Sequence, residues 1–75
     1  MRTREIDGDK IRQAREDAGL TQAKLAAILR IAPSTVGHWE IGNRSPVGAN
    51  FRELCKTLRV TPAELTVDEP SATAA

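Results

Sequence analysis

Thr21-Gln22-Ala23-Lys24-Leu25-Ala26-Ala27-Ile28-Leu29-Arg30-Ile31-Ala32-Pro33-Ser34-Thr35-Val36-Gly37-His38-Trp39-Glu40-Ile41-Gly42 is the stretch that decides the fold. Thr21 is an N-cap candidate, because its hydroxyl can accept a backbone N–H that the first helical turn leaves unpaired. It opens a helix over Gln22 to Leu29, with Leu25, Ala26, Ile28 and Leu29 apolar. Arg30-Ile31-Ala32 is too short for anything but a turn. Pro33 suits the first position of a further helix, where its missing N–H costs nothing and its fixed φ is already helical. That helix needs Val36 and Trp39 facing inward and is expected to stop at Gly42.

The flanks read the same way. Upstream, Asp9 is placed to cap a helix carrying Ile11, Ala14 and Ala18 at spacings of three and four, with Gly19 as its left-handed stop. Downstream, Asn43-Arg44-Ser45-Pro46 reads as a loop. The clearest amphipathic pattern follows, with Val47, Phe51, Leu54, Cys55 and Leu58 on one face. Thr61-Pro62-Ala63-Glu64 has the form of a capping box with proline at the first helical position, so a short fifth helix is expected around Leu65. The prediction is an all-α fold of five short helices without repeats. Residues 1–8 read as a flexible arm, 9–67 as the domain and 68–75 as a disordered acidic and alanine-rich tail.

Composition narrows the functional classes. A chain of 75 residues is expected to form one small domain with little room for a deep pocket. No apolar run approaches the roughly 20 residues a membrane span needs, and the basic start is followed by acids rather than by a signal-peptide core. A cytoplasmic location and no membrane partner follow as expectations. One cysteine, Cys55, cannot form an intrachain disulfide, and no Cys/His cluster is spaced for zinc. One His, one Cys, no Tyr and no glycine-rich phosphate loop leave nothing from which to assemble an active site. Neither an enzyme nor a cofactor is expected. The net charge of +1 hides an asymmetry: all eleven Lys and Arg lie within residues 1–59 against seven acids, whereas residues 60–75 hold three acids and no base. A basic body fits a polyanionic partner, though an ordinary solvated surface fits as well.

Residues 22–41 meet the requirements of a helix-turn-helix: two short helices, a turn of three residues, and small Ala26 where the helices must cross closely. Leu25, Leu29, Ile31, Val36 and Trp39 supply the inward apolar positions. The second helix then turns Pro33, Ser34, Gly37, His38 and Ile41 outward, toward a major groove. The pattern resembles the phage-repressor class of helix-turn-helix proteins, the Cro/C1 or XRE type with the lambda-repressor-like fold. The resemblance runs from about Ile11 to Leu65. It is carried by Gly19-Leu20-Thr21-Gln22 with Leu25-Ala26, Pro33-Ser34-Thr35-Val36, Trp39-Glu40 with Gly42, Arg44-Ser45-Pro46 and Leu58-Arg59-Val60-Thr61.

What this resemblance implies can be assigned to residues. Pro33, Ser34, Gly37 and His38 would lie against base edges, although Gly37 has no side chain to reach one. Gln22 would bond a DNA phosphate, and Lys24, Arg30, Thr35, Asn43 and Arg44 would add phosphate contacts. Arg15 and Glu40 would form a structural pair, with a simple surface pair as the alternative. Phe51, Val60 and Leu65 are the candidates for a twofold dimer interface. Departures from the family pattern fall at Arg30, where glycine is usual; at Ala32, which cannot cap with its side chain; and at Pro33, where glutamine often reads adenine. Specific readout by this helix is therefore thin, and phosphate contacts would carry much of the affinity. Arg2 and Arg4 fit either a minor-groove arm or an unstructured terminus.

The expected function is a sequence-specific regulator of transcription bound to double-stranded DNA: a repressor acting by occlusion as a dimer on a palindromic operator. The alternative is a module whose main partner is a protein, such as the toxin of a toxin–antitoxin pair. Activation through a polymerase contact is a further variant.

Overall fold

Asp7, not Asp9, starts the first helix. In the computed structural model, which describes residues 5–67, the Asp7 carboxylate accepts the Asp9 amide at 2.9 Å and α1 spans Gly8–Asp17. Both aspartates satisfy the capping preference, and the earlier one wins because the preceding residues are tied down. Glu5–Ile6 form a short strand, β1, which pairs antiparallel with β2 at Thr66–Val67, with Ile6 opposite Thr66. The Asp7 amide donates to the Leu65 carbonyl at 2.8 Å, and Lys10 Nζ to the Thr66 carbonyl at 3.1 Å. Residues 5–8, read from sequence as part of a flexible arm, thus belong to the folded body. The readings of residues 1–4 and 68–75, including Arg2 and Arg4, lie outside the described residues.

The helical pair of the opening stretch forms with its expected bounds. The Thr21 hydroxyl accepts the Lys24 amide at 3.0 Å and α2 runs over Gln22–Leu29. Arg30 ends it at φ +61° and ψ +45°, a left-handed conformation with a steric cost for a residue that carries a Cβ. Helix α3 covers Pro33–Ile41, with Pro33 in its first turn, no side-chain cap from Ala32, and Gly42 at φ +85° closing it.

Helix α4 spans Gly48–Leu58. Val47 precedes it as an N-cap without a side-chain bond and is 71% exposed, so it leaves the apolar face to which its spacing assigns it. The fifth helix is instead a four-residue 3₁₀ turn, Pro62–Leu65. Its capping box forms, with Glu64 accepting from both the amide and the hydroxyl of Thr61 at 3.1 Å. It cannot lengthen because Thr66 is already extended in β2.

Among the described residues the architecture is therefore helical, with four α-helices, one 3₁₀ turn and a two-stranded ladder at the edge. The core gathers Ile11, Leu25, Ala26, Val36, Trp39, Leu54, Cys55, Leu58 and Leu65, one or more from every helical element. Helix α3 packs against both α2 and α1. At the second contact Gly8 is indispensable, because a Cβ there would collide with the backbone carbonyls of Trp39 and Glu40. The C-terminal end of α3 is thereby seated against the N-terminus of α1.

Candidate nucleic-acid interface

Glu40, late in α3, is the hinge of the site's construction. Its side chain is 4% exposed and that of Arg15 is 11% exposed. Arg15 Nε donates to Glu40 Oε2 and Arg15 Nη2 to Oε1, the latter at 3.2 Å, so the guanidinium fork grips the carboxylate at both oxygens. The remaining guanidinium corner donates from Nη1 to the Leu20 carbonyl at 2.8 Å. The Glu40 hydrogen bond raises the Arg15 pKa above its ordinary value; burial opposes this, and the charges of Glu40 and Glu16 add to it. The pair is a buried structural bridge between α1 and α3, as the family resemblance implies, and not a simple surface pair.

A third donor reaches the same carboxylate. Gln22 Nε2 donates to Glu40 Oε1 at 3.0 Å. The Gln22 amide group lies over Gly37, where an added methyl would make ordinary contact 3.7 Å from its Oε1. Gln22, expected to reach a phosphate, is thus anchored from behind and keeps one amide N–H for a ligand. Gly37 offers no side chain to the outer face, and the Gln22 contact does not require glycine there. The anchoring of Gln22 is not visible in the sequence, since it depends on the crossing of α2 and α3.

The outer face of α3 carries Pro33 and Ser34, both exposed, then half-buried His38, and Ile41 at 73% exposure. Thr35 is half-buried, and its amide donates to the Ala32 carbonyl at 2.9 Å, which makes the first turn without a side-chain cap. Past Gly42 the chain folds back over the helix end. The amides of Asn43 and Arg44 both donate to the His38 carbonyl, at 2.9 and 3.2 Å, and the Asn43 side-chain nitrogen lies 3.2 Å from His38 Nδ1. Asn43 is therefore engaged with His38 as well as exposed.

The exposed charges of this segment are of one sign. From residue 18 to residue 52 the only acid is Glu40, which is buried and paired, while Lys24, Arg30, Arg44 and Arg52 are exposed. Among the described residues, Lys24, Arg30 and Arg44 make no ion pair. Among the described residues, the exposed acids sit on α1, α4 and the 3₁₀ turn. The structure brings Gln22 to Glu40 and Gly37, and Asn43 and Arg44 to His38; Lys24, Arg30 and Arg44 are exposed on α2, at its C-cap and in the loop after α3.

One interface candidate is corrected. Leu65 is 1% exposed within its own chain and is spent on the core, so it has no surface to offer a second copy. Phe51 and Val60 are half-buried. Burial pushes the Cys55 thiol pKa up, with the Glu64 charge adding, which is the setting of an inert core cysteine. Among the described residues no group of His, Cys, Asp and Glu is arranged to hold a metal, and no helix is long and apolar enough to cross a membrane.

Comparison with known proteins places this arrangement. The family model HTH_3, helix-turn-helix, matches residues 11–65. The chain is a helix-turn-helix protein of the Cro/C1 type. Over 55 residues, 73% of its length, this helix-turn-helix chain is 38% identical to the HTH-type transcriptional regulator DicA of Escherichia coli K12, and it spans 41% of DicA. Among solved structures, the restriction-modification controller protein C.AhdI of Aeromonas hydrophila superposes with a TM-score of 0.70 at 34% identity, covering 77% of this chain and 88% of that one. The DNA-binding domain of the P22 C2 repressor gives a TM-score of 0.74 at 28% identity, covering 81% and 80%. The helix-turn-helix of the family is the pair α2–α3.

Proposed function

We propose that this protein is a sequence-specific regulator of transcription that binds double-stranded DNA through α3, and that it represses by occluding a promoter as a twofold dimer on a palindromic operator. The observation that carries the reading is the outer face of α3: exposed Pro33, Ser34 and Ile41 with half-buried His38, on a helix anchored by its buried face, in a stretch from residue 18 to residue 52 whose exposed charges are all cations. A helix so mounted fits the major groove, with Ser34 and His38 at base edges and Pro33 and Ile41 available to thymine methyls. Lys24, Arg30, Arg44 and the free N–H of Gln22 meet the phosphates on either side. Phe51 and Val60 are the remaining candidates for contact between two copies. The names of the relatives, a transcriptional regulator, a controller protein and a repressor domain, favour regulation over a module that serves only a protein partner.

Selection of bound sequences from random duplex DNA at about physiological salt tests this reading. Enrichment of a palindrome with fixed half-site spacing supports it; salt-sensitive binding without enrichment overturns the sequence-specific part. With the selected site in hand, His38→Ala is expected to weaken that site more than random DNA. Arg44→Ala is expected to weaken both alike, by about 0.5–1 kcal/mol, as a lost phosphate contact should.

A further inference from the structure

We propose that Asn43 is a positioning residue for His38: it holds the imidazole as the Nε2–H tautomer, so that α3 presents a hydrogen-bond donor and selects a base with a major-groove acceptor at that position. The base-selecting part rests on the DNA-binding reading above; the tautomer does not. A neutral imidazole carries one donor and one acceptor, and its neighbours decide which nitrogen is which. Here the Asn43 side-chain nitrogen lies 3.2 Å from His38 Nδ1. An amide N–H can only donate, so Nδ1 accepts and the ring proton sits on Nε2.

The backbone keeps the pair in register. Gly42, at φ +85°, turns the chain back, and the Asn43 amide is tied to the His38 carbonyl at 2.9 Å. Asn43 thus holds His38 twice, once through the main chain and once through the side chain. That engagement also gives Asn43 a task other than the phosphate contact expected from its position in the loop. A donor at Nε2 matches guanine N7 or O6, adenine N7 or thymine O4, and has nothing to bond on the N4 amino group of cytosine.

His38 is the only histidine of the chain, so long-range proton–nitrogen NMR of the full chain, without DNA and at a pH where the ring is neutral, reads its tautomer directly. The expected result is Nε2–H in the wild type, a mixture in Asn43→Ala, and Nδ1–H in Asn43→Asp, whose carboxylate can only accept. The same tautomer in all three, or Nδ1–H in the wild type, overturns the proposal whether or not the protein binds DNA. In the selection experiment, Asn43→Ala is expected to reduce preference at one base position per half-site by about five- to tenfold. A uniform loss on every DNA would make Asn43 a phosphate ligand and overturn the positioning role.

Discussion

The two ends of α3 are built by opposite rules. At the C-terminal end, Trp39 is buried, Glu40 is held by Arg15 and Gln22, and Gly8 lets α1 approach to backbone contact. At the N-terminal end, Ala32 supplies no cap, and Pro33 and Ser34 stand in solvent. Stability is concentrated where the helix is clamped, whereas Pro33 and Ser34, at the other end, are free to meet a ligand and are held by little. A recognition surface can then vary in sequence without loss of the fold, because it contributes little to it.

Breaking the clamp should have the largest effect. Glu40→Ala leaves the Arg15 guanidinium buried and without its partner, and a loss of about 3–5 kcal/mol is expected in urea unfolding. The double change Arg15→Met with Glu40→Leu is expected to recover most of that loss, since it removes both charges. If Glu40→Ala unfolds at the wild-type midpoint, the clamped end is no clamp.

Supplying the missing cap sharpens the contrast from the other side. Ala32→Ser offers a hydroxyl to the unpaired amides of the first turn and is expected to raise stability by about 1 kcal/mol, read as a higher midpoint. An intermediate gain belongs to the turn between the helices. Arg30→Gly relieves the left-handed strain at φ +61° and is expected to add about 0.5–1 kcal/mol. The same change removes a cation from the interface, so tighter folding should accompany weaker DNA binding. Ser34→Ala, at the open end, is expected to move stability by less than about 0.5 kcal/mol in either direction. A larger shift would show that the exposed first turn supports the fold after all.

How far the sequence speaks depends on how local the cause is. Thr21, Pro33, Gly42 and the Thr61–Glu64 box act within a few residues, and each falls where its chemistry puts it. The spacing that assigns Val47 to the apolar face of α4 fails because the pattern cannot tell an N-cap from a first turn. Gly8 reads as arm because its requirement comes from two carbonyls on a distant helix. A two-residue ladder is too short to show alternation. For the site, the outward set on α3 follows from helical period, whereas the tie from Gln22 to Glu40 needs the helices already crossed and that from Asn43 to His38 needs the chain already turned back at Gly42.

The β1–β2 ladder has a consequence in time as well as in space. The α2–α3 contact joins neighbours along the chain, and α1–α3 and α2–α4 skip one helix, while the ladder joins Glu5–Ile6 to Thr66–Val67 and so closes nearly the whole described chain into a ring. Closing so long a loop carries the largest entropy penalty of any contact in the fold. The ladder should therefore zip last during folding and open first in the native state. Hydrogen exchange at the Asp7 amide would then run ahead of the amides of α2 and α3, marking the edge of the domain as its earliest point of melting.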